Sequence, residues 1–294
     1  MRKWTLLFIG GMLSGLIGLA QPYVIVFGVD GMSPLGIEKA DTPNMDYLVE
    51  KGTHTFSAKA VLPTSSSPNW ASMISGAKPE HHGVKSNAWK PGSYDIELAC
   101  KDRSGRFPTI FTVLRNHDSE ANIACFYDWK GFGRLADANM TTTYVHSKNE
   151  DKTIRMAKEY IGAEKPNFLF IHVDHVDHAL HGKGFNSKGY VQAIEKADQL
   201  LGEVIEALKE AGLWDECFLL VTADHGGKGR RHGGDSEQEV NVPWVIHGPT
   251  IRKGFTITNT VNTYDTAATI AHIFGAERPD CWIGKPIVEA FSRQ

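Results

Sequence analysis

Short, nearly uninterrupted apolar runs recur along this chain between segments of helical rhythm, and three of those runs end directly in aspartate. The runs occupy 23–29, 121–127, 167–173, 217–222 and 242–247. A strand that is apolar on both sides needs cover on both sides, and a parallel sheet between two layers of helices supplies it. The clearest helix is 188–211, where Val191, Ile194, Leu201, Val204, Ile205 and Leu208 keep a 3.6-residue period and Gly212 stops the run. Further helices are expected at 46–51, 68–75, 109–115, 150–161 and 265–274. The pattern predicts an α/β fold: a doubly wound, mostly parallel central sheet with helices on both faces. No stretch rich in Pro, Gly or Ser divides it, so 21–294 reads as a single domain.

The first twenty residues belong to a different class. Arg2 and Lys3 precede an uncharged segment that ends Gly18-Leu19-Ala20. A basic start, an apolar stretch and small residues before a cleavage point describe a secretory signal peptide over 1–20. Export to the periplasm or the extracellular space is therefore expected, with an uncleaved membrane anchor as the alternative and no stable membrane partner otherwise. Export permits disulfides. Cys100, Cys125, Cys217 and Cys281 allow three pairings, while Cys125 and Cys217 sit in apolar runs that suit buried thiols. A formal charge of −3 argues against a nucleic-acid duplex as partner, because phosphate backbones are met by basic surfaces.

In an open parallel sheet, chemistry collects beyond the carboxyl ends of the strands. The first run leads into Asp30-Gly31, the third into Asp174, Asp177 and His181, and the fourth into Asp224-His225. Aspartates also form ordinary turns, but three arriving on one sheet edge, two with histidines, suggest a metal site. Carboxylate and imidazole without thiolate suit zinc first, with manganese or iron behind it. There are groups enough for two ions: Asp30, Asp224 and His225 in one set, Asp177, His181 and the later His232 in the other. Two such cations about 4 Å apart clamp the attacking and leaving oxygens of a displacement at phosphorus. The overlapping pair Asp174/His178 competes with Asp177/His181 for the ligand role. Gly182 and Gly184 after His181 leave room for a substrate and favour the latter.

Thr64-Ser65-Ser66-Ser67 places four hydroxyls just before a helix start. Such a cluster caps helices. Beside a metal site, one of the hydroxyls would also serve as a nucleophile at a helix end that favours anions.

Taken in order, Val26-Phe27-Gly28-Val29-Asp30-Gly31, Ser66-Ser67-Pro68-Asn69, His82-Gly83-Val84-Lys85-Ser86-Asn87, Asp177-x-x-x-His181, Asp224-His225-Gly226 and His232-Gly233 resemble the alkaline phosphatase superfamily. Within it they resemble the nucleotide pyrophosphatase/phosphodiesterase, or type I phosphodiesterase, branch. The resemblance implies two zinc ions, one on Asp30, Asp224, His225 and the nucleophile, the other on Asp177, His181 and His232. It makes Ser66 the nucleophile rather than Thr64 or Ser65, with Asn87 hydrogen-bonding a phosphoryl oxygen. It further implies two displacements through a phosphoseryl or nucleotidyl-seryl intermediate, on a small phosphodiester or nucleotide substrate.

One departure concerns the residue after the nucleophile. Nucleotide-cleaving members carry a base-stacking phenylalanine there, and this chain has Ser67, leaving Trp70, Trp89, Tyr127 and Trp129 as replacement rings. The sulfatase pattern, which needs an arginine two residues after the proline, is missing at Pro68-Asn69-Trp70. The rival readings are a phosphomonoesterase or phosphonate hydrolase on the same metals, with Lys85, Lys228, Arg230 or Arg231 receiving the extra charge, and an exported binding protein without catalysis.

Overall fold

The computed structural model describes residues 21–292; the segment read as a signal peptide lies outside them. Eight strands form one sheet: β1 (Tyr23–Val29), β2 (Thr53–Lys59), β3 (Ile123–Tyr127), β4 (Thr143–His146), β5 (Phe168–Val173), β6 (Cys217–Thr222), β7 (Asn241–His247) and β8 (Phe255–Thr256). Their spatial order is β4-β3-β5-β1-β6-β7-β2-β8. Every neighbouring pair is parallel except β6–β7 and β7–β2, so β7 alone opposes the rest. The expected α/β class and mostly parallel sheet are what is found.

The apolar runs became strands because each is covered twice. β1, β3, β5 and β6 are buried along almost their whole length. One group of helices, Pro43–Lys51, Glu150–Glu164, His175–Lys183 and Lys188–Glu210, packs together around the last of them. A second group, Ser66–Ser75, Ile110–His117 and Asp265–Phe274, packs separately.

Three strands were not apparent from the sequence. β4 and β8 are short edge strands, and edges are kept short because their open hydrogen bonds invite other chains. β2 alternates buried and half-exposed residues, which dilutes its apolar signal. β7 carries Pro243 between two neighbours, where a proline would leave a ladder position without a donor. The sheet accommodates it with a bulge: Trp244 pairs with Thr55 and Val242 with Ala58, so Phe56 and Ser57 together face Pro243.

Cys100 and Cys281 are joined, with Cα atoms 6.1 Å apart, which ties the long segment after Asn87 to the C-terminal part of the chain. Cys125 and Cys217 are buried free thiols. Among the described residues no helix is long and apolar enough to cross a membrane.

β1 is the central strand, and its carboxyl end sets the height of the site. At Gly28 the chain passes under Trp70, so close that a Cβ would stand 2.7 Å from the indole Cη2 and 2.9 Å from Cζ3. Trp70 is fully buried and has no free space into which to retreat. Gly28→Ala should therefore destabilise the fold by about 1–3 kcal/mol through overpacking and displace the indole from Asp30. Chemical denaturation measures the first effect and Trp fluorescence the second; an alanine variant matching wild type in both would contradict this packing.

Candidate metal and nucleophile site

Four carboxylates converge beyond the carboxyl ends of β1, β5 and β6. Asp30 and Asp224 are fully buried, and Asp174 and Asp177 are nearly so. The structure brings together both sequence-predicted sets. Asp30, Asp224 and His225 offer ligand atoms within 4.8 Å of one another, as do Asp177, His181 and His232. A third set, Asp30, Asp174 and Asp177, joins the two. The rings of His225 and His232 lie stacked with centroids 3.9 Å apart, so the two groups share a border.

The three imidazoles are oriented alike. His225 Nδ1 donates to Gly226 O at 2.8 Å, His181 Nδ1 to Arg230 O at 2.9 Å and His232 Nδ1 to Thr64 O at 2.8 Å. A carbonyl only accepts, so each Nδ1 carries the hydrogen and each Nε2 is turned inward, the arrangement that fixes a histidine for metal binding. Inward, His225 Nε2 stands 3.4 Å from both Asp30 Oδ1 and Asp224 Oδ2. His181 Nε2 lies 3.3 Å from Asp177 Oδ2, and His232 Nε2 lies 3.7 Å from Asp177 Oδ1. Asp177 Oδ1 and Asp224 Oδ2 are buried with no hydrogen-bond donor. Nitrogen lone pairs facing orphaned carboxylate oxygens require a proton or a cation between them. The donor set therefore fits divalent metal.

The electrostatics agree. Burial, reinforced by the negative charge of Asp30, pushes Asp224 well above the usual carboxylate range. Burial and Asp30 likewise raise Asp174 to about 9. His181 rises to about 9 through the hydrogen bond from its ring to Asp177. Asp30 behaves differently. Burial opposes its ionisation, but His172, His225 and Trp70 outweigh that and hold it down to about 2. Such a cluster ionises fully only with positive charge in its midst.

Ser66 opens the helix Ser66–Ser75, two residues earlier than the sequence suggested, and Ser65 is its N-cap residue. Its Oγ lies 3.5 Å from Asp30 Oδ1 and 3.3 Å from His225 Nε2, at the first metal group. Pro68 removes no helical hydrogen bond, because the first four N–H groups have no partner inside a helix. Asn69 holds the preceding loop, accepting from Val61 N and donating to Val61 O, Pro63 O and Ser65 O. Asn87 Oδ1 accepts from Ser67 N at 2.7 Å, which leaves its amide NH2 available beside Ser66.

Other candidates fall elsewhere. His178 is three-quarters exposed and pairs outward with Asp174 at 3.1 Å, away from the converging imidazoles. Trp70 cannot stack on a base: it is fully buried, and its Nε1 donates to Asp30 Oδ2 at 2.9 Å. Trp89 and Tyr127 are buried too, and Trp129, half-buried, lies over the ring of His172. Lys85 pairs with Asp95, and Lys228, Arg230 and Arg231 are exposed.

Two residues with no motif complete the site. His172, inside apolar β5, faces Asp30. Thr64 clasps two loops: its Oγ1 accepts from Gly233 N at 2.9 Å and donates to Gly234 O at 2.7 Å, while its carbonyl holds His232. Only the position of Thr64 two residues before Ser66 could have drawn attention to it.

A model of the family described as type I phosphodiesterase / nucleotide pyrophosphatase matches residues 24–232. Mouse ectonucleotide pyrophosphatase/phosphodiesterase family member 3 is 27% identical over 228 residues, covering 71% of this chain and 25% of that protein. A venom phosphodiesterase from Crotalus durissus collilineatus is 26% identical over 223 residues, covering 71% and 26%. The chain thus spans about a quarter of the length of these curated relatives. Murine ectonucleotide pyrophosphatase/phosphodiesterase 5, solved as an inactive variant with AMP, superposes with a TM-score of 0.77 at 18% identity, covering 92% of this chain and 100% of that one. That likeness is one of fold.

The clasp yields a test. Thr64→Val keeps the shape and strands two backbone groups, so it should cost about 1–3 kcal/mol and weaken divalent-cation binding in chelator competition. Thr64→Ser should restore both. Equal behaviour of all three proteins would show that the hydroxyl positions nothing.

Proposed function

The chain belongs to the type I phosphodiesterase / nucleotide pyrophosphatase family, and from that premise we propose that it is an exported dizinc hydrolase of phosphodiester or pyrophosphate bonds in small substrates such as nucleotides. One observation carries the reading: the Ser66 hydroxyl sits at the Asp30–Asp224–His225 group while the Asp177–His181–His232 group adjoins it. In this reading residues 21–294 work as one catalytic domain. Asp30, Asp224, His225 and Ser66 hold one zinc ion, and Asp177, His181 and His232 hold the other. Export to the periplasm or beyond the cell follows from the basic-apolar start of the chain, and it accords with relatives that are ectoenzymes and venom enzymes.

When bound, two zinc ions would lower the pKa of a nearby hydroxyl and stabilise charge on phosphoryl oxygens. The chain supplies the rest. The Asn69 and Thr64 contacts fix the Ser66 loop, so Oγ approaches phosphorus without a search over rotamers. The Oγ–P bond forms as the bond to the leaving oxygen breaks, leaving a phosphoseryl or nucleotidyl-seryl intermediate. Water then cleaves it in a second displacement, and two inversions give net retention. The Asn87 amide donates to a phosphoryl oxygen whose charge grows in the transition state, assisted by the positive end of the helix Ser66–Ser75. Its carbonyl oxygen is tied to Ser67 N, so the amide is oriented in advance.

The surroundings favour a diester over a monoester. A monoester dianion asks for an additional cation, and Lys85 is engaged by Asp95 while the basic residues at 228, 230 and 231 are exposed. Ser66→Ala should lower kcat by about three orders of magnitude or more with zinc content preserved, whereas Asp224→Asn should lower both. Rates on bis-p-nitrophenyl phosphate, p-nitrophenyl-thymidine monophosphate and p-nitrophenyl phosphate should favour the diesters. A tenfold preference for the monoester would overturn that assignment, and near-normal activity of Ser66→Ala would move the nucleophile elsewhere.

A further inference from the structure

The ring of His172 is completely buried, belongs to neither ligand group and stands between two carboxylates. Its Nε2 lies 3.3 Å from Asp30 Oδ2, and its Nδ1 lies 3.4 Å from Asp128 Oδ1. Aromatic rings enclose it: Phe132 at 4.7 Å, Trp70 at 4.9 Å edge-on, and Trp129 stacked at 6.2 Å. These rings pack around the imidazole, and its hydrogen bond to Asp30 sets the directions in which its two nitrogens point.

What those directions connect is informative. Asp30 Oδ2 takes hydrogen bonds from Trp70 and His172, which leaves Oδ1 turned to Ser66 and His225. Asp128 uses its other oxygen, Oδ2, to accept from the backbone N–H of Asp174 at 3.1 Å. Asp174 is the N-cap residue of the helix His175–Lys183, and that helix carries Asp177 and His181. A buried chain of groups, Asp30–His172–Asp128–Asp174 N, thus runs behind both ligand groups and links a carboxylate of the first to the helix of the second.

We infer that His172, braced by Asp128, is a positioning residue for the two-metal site: it fixes which oxygen of Asp30 faces the first ion and couples that choice to the helix that holds the second. The inference rests on the two-zinc reading above. The geometry explains why a polar ring is retained within an apolar strand: an apolar side chain there would leave Asp30 Oδ2 with Trp70 alone and would remove the imidazole nitrogen that faces Asp128 Oδ1, an oxygen with no hydrogen-bond donor of its own. Groups behind metal ligands commonly change metal affinity by about 10–100-fold when removed.

The test measures zinc dissociation constants of the full-length protein by chelator competition, for wild type, His172→Gln, His172→Phe and Asp128→Asn, with melting temperatures of the zinc-free proteins. Phe132→Leu serves as a control that loosens the cage without touching a polar contact. Zinc affinity should fall about 10–100-fold in His172→Phe and Asp128→Asn. It should fall less in His172→Gln, which keeps one donor, and stay at the wild-type value in Phe132→Leu even though that protein melts earlier. At saturating zinc, kcat should drop with KM little changed, because Asp30 acts on the reacting oxygen and not on substrate binding. Should His172→Phe fail to fold, Asp128→Asn and His172→Gln decide the question. Wild-type zinc affinity in these variants, or losses in Phe132→Leu as large as theirs, would overturn the inference. Wild type that binds no zinc would instead overturn the metal reading beneath it.

Discussion

The structure is organised around a concentration of carboxyl groups largely withdrawn from water. Asp30, Asp174, Asp177 and Asp224 arrive at one sheet edge with almost no exposure. Carboxylates so placed are far from their preferred state unless positive charge stands among them. The surrounding features answer that constraint. Three histidines turn Nε2 inward, backbone carbonyls hold them there, and a hydroxyl is set at the boundary. A fold with so apolar an interior would not retain such a cluster for stability alone.

The parallel sheet makes the convergence possible. β5, β1 and β6 are adjacent and parallel, so their ends deliver Asp174, Asp30 and Asp224 side by side, although the residues are far apart in sequence. The helix Ser66–Ser75 then brings its N-terminal turn over the same edge, with Trp70 reaching down to Asp30. Gly28 is needed because that indole passes over β1 at contact distance. Packing and the site are thus coupled through one tryptophan: the side chain that fills the core also holds the Asp30 carboxylate.

Much of this was legible in the sequence, for identifiable reasons. The bounds of β1 and β6 coincide with the apolar runs because both strands are buried on both faces, the condition that produces an uninterrupted run. The side chains of the two Asp/His groups were visible as aspartates at strand ends and histidines at short spacing. β2 was hidden because half its residues face outward, whereas β7 was legible as the apolar run 242–247 despite its interior proline, opposite which β2 forms a bulge. Trp70 offered itself as a stacking ring, since a sequence does not say which way an indole points. His172 and Thr64 were hidden for a related reason. One lies within an apolar run and the other within a hydroxyl cluster that suits a helix cap, and the site residues they hold, Asp30 and His232, are 142 and 168 residues away.

The account stands on two cations meeting at a serine. Diffraction from crystals of the zinc-loaded protein, recorded on both sides of the zinc absorption edge, tests this most directly. Two anomalous peaks are expected, one contacted by Asp30, Asp224, His225 and Ser66 Oγ, the other by Asp177, His181 and His232, about 4 Å apart. A single peak, or density held by Asp174 and His178 with Ser66 turned away, would contradict it.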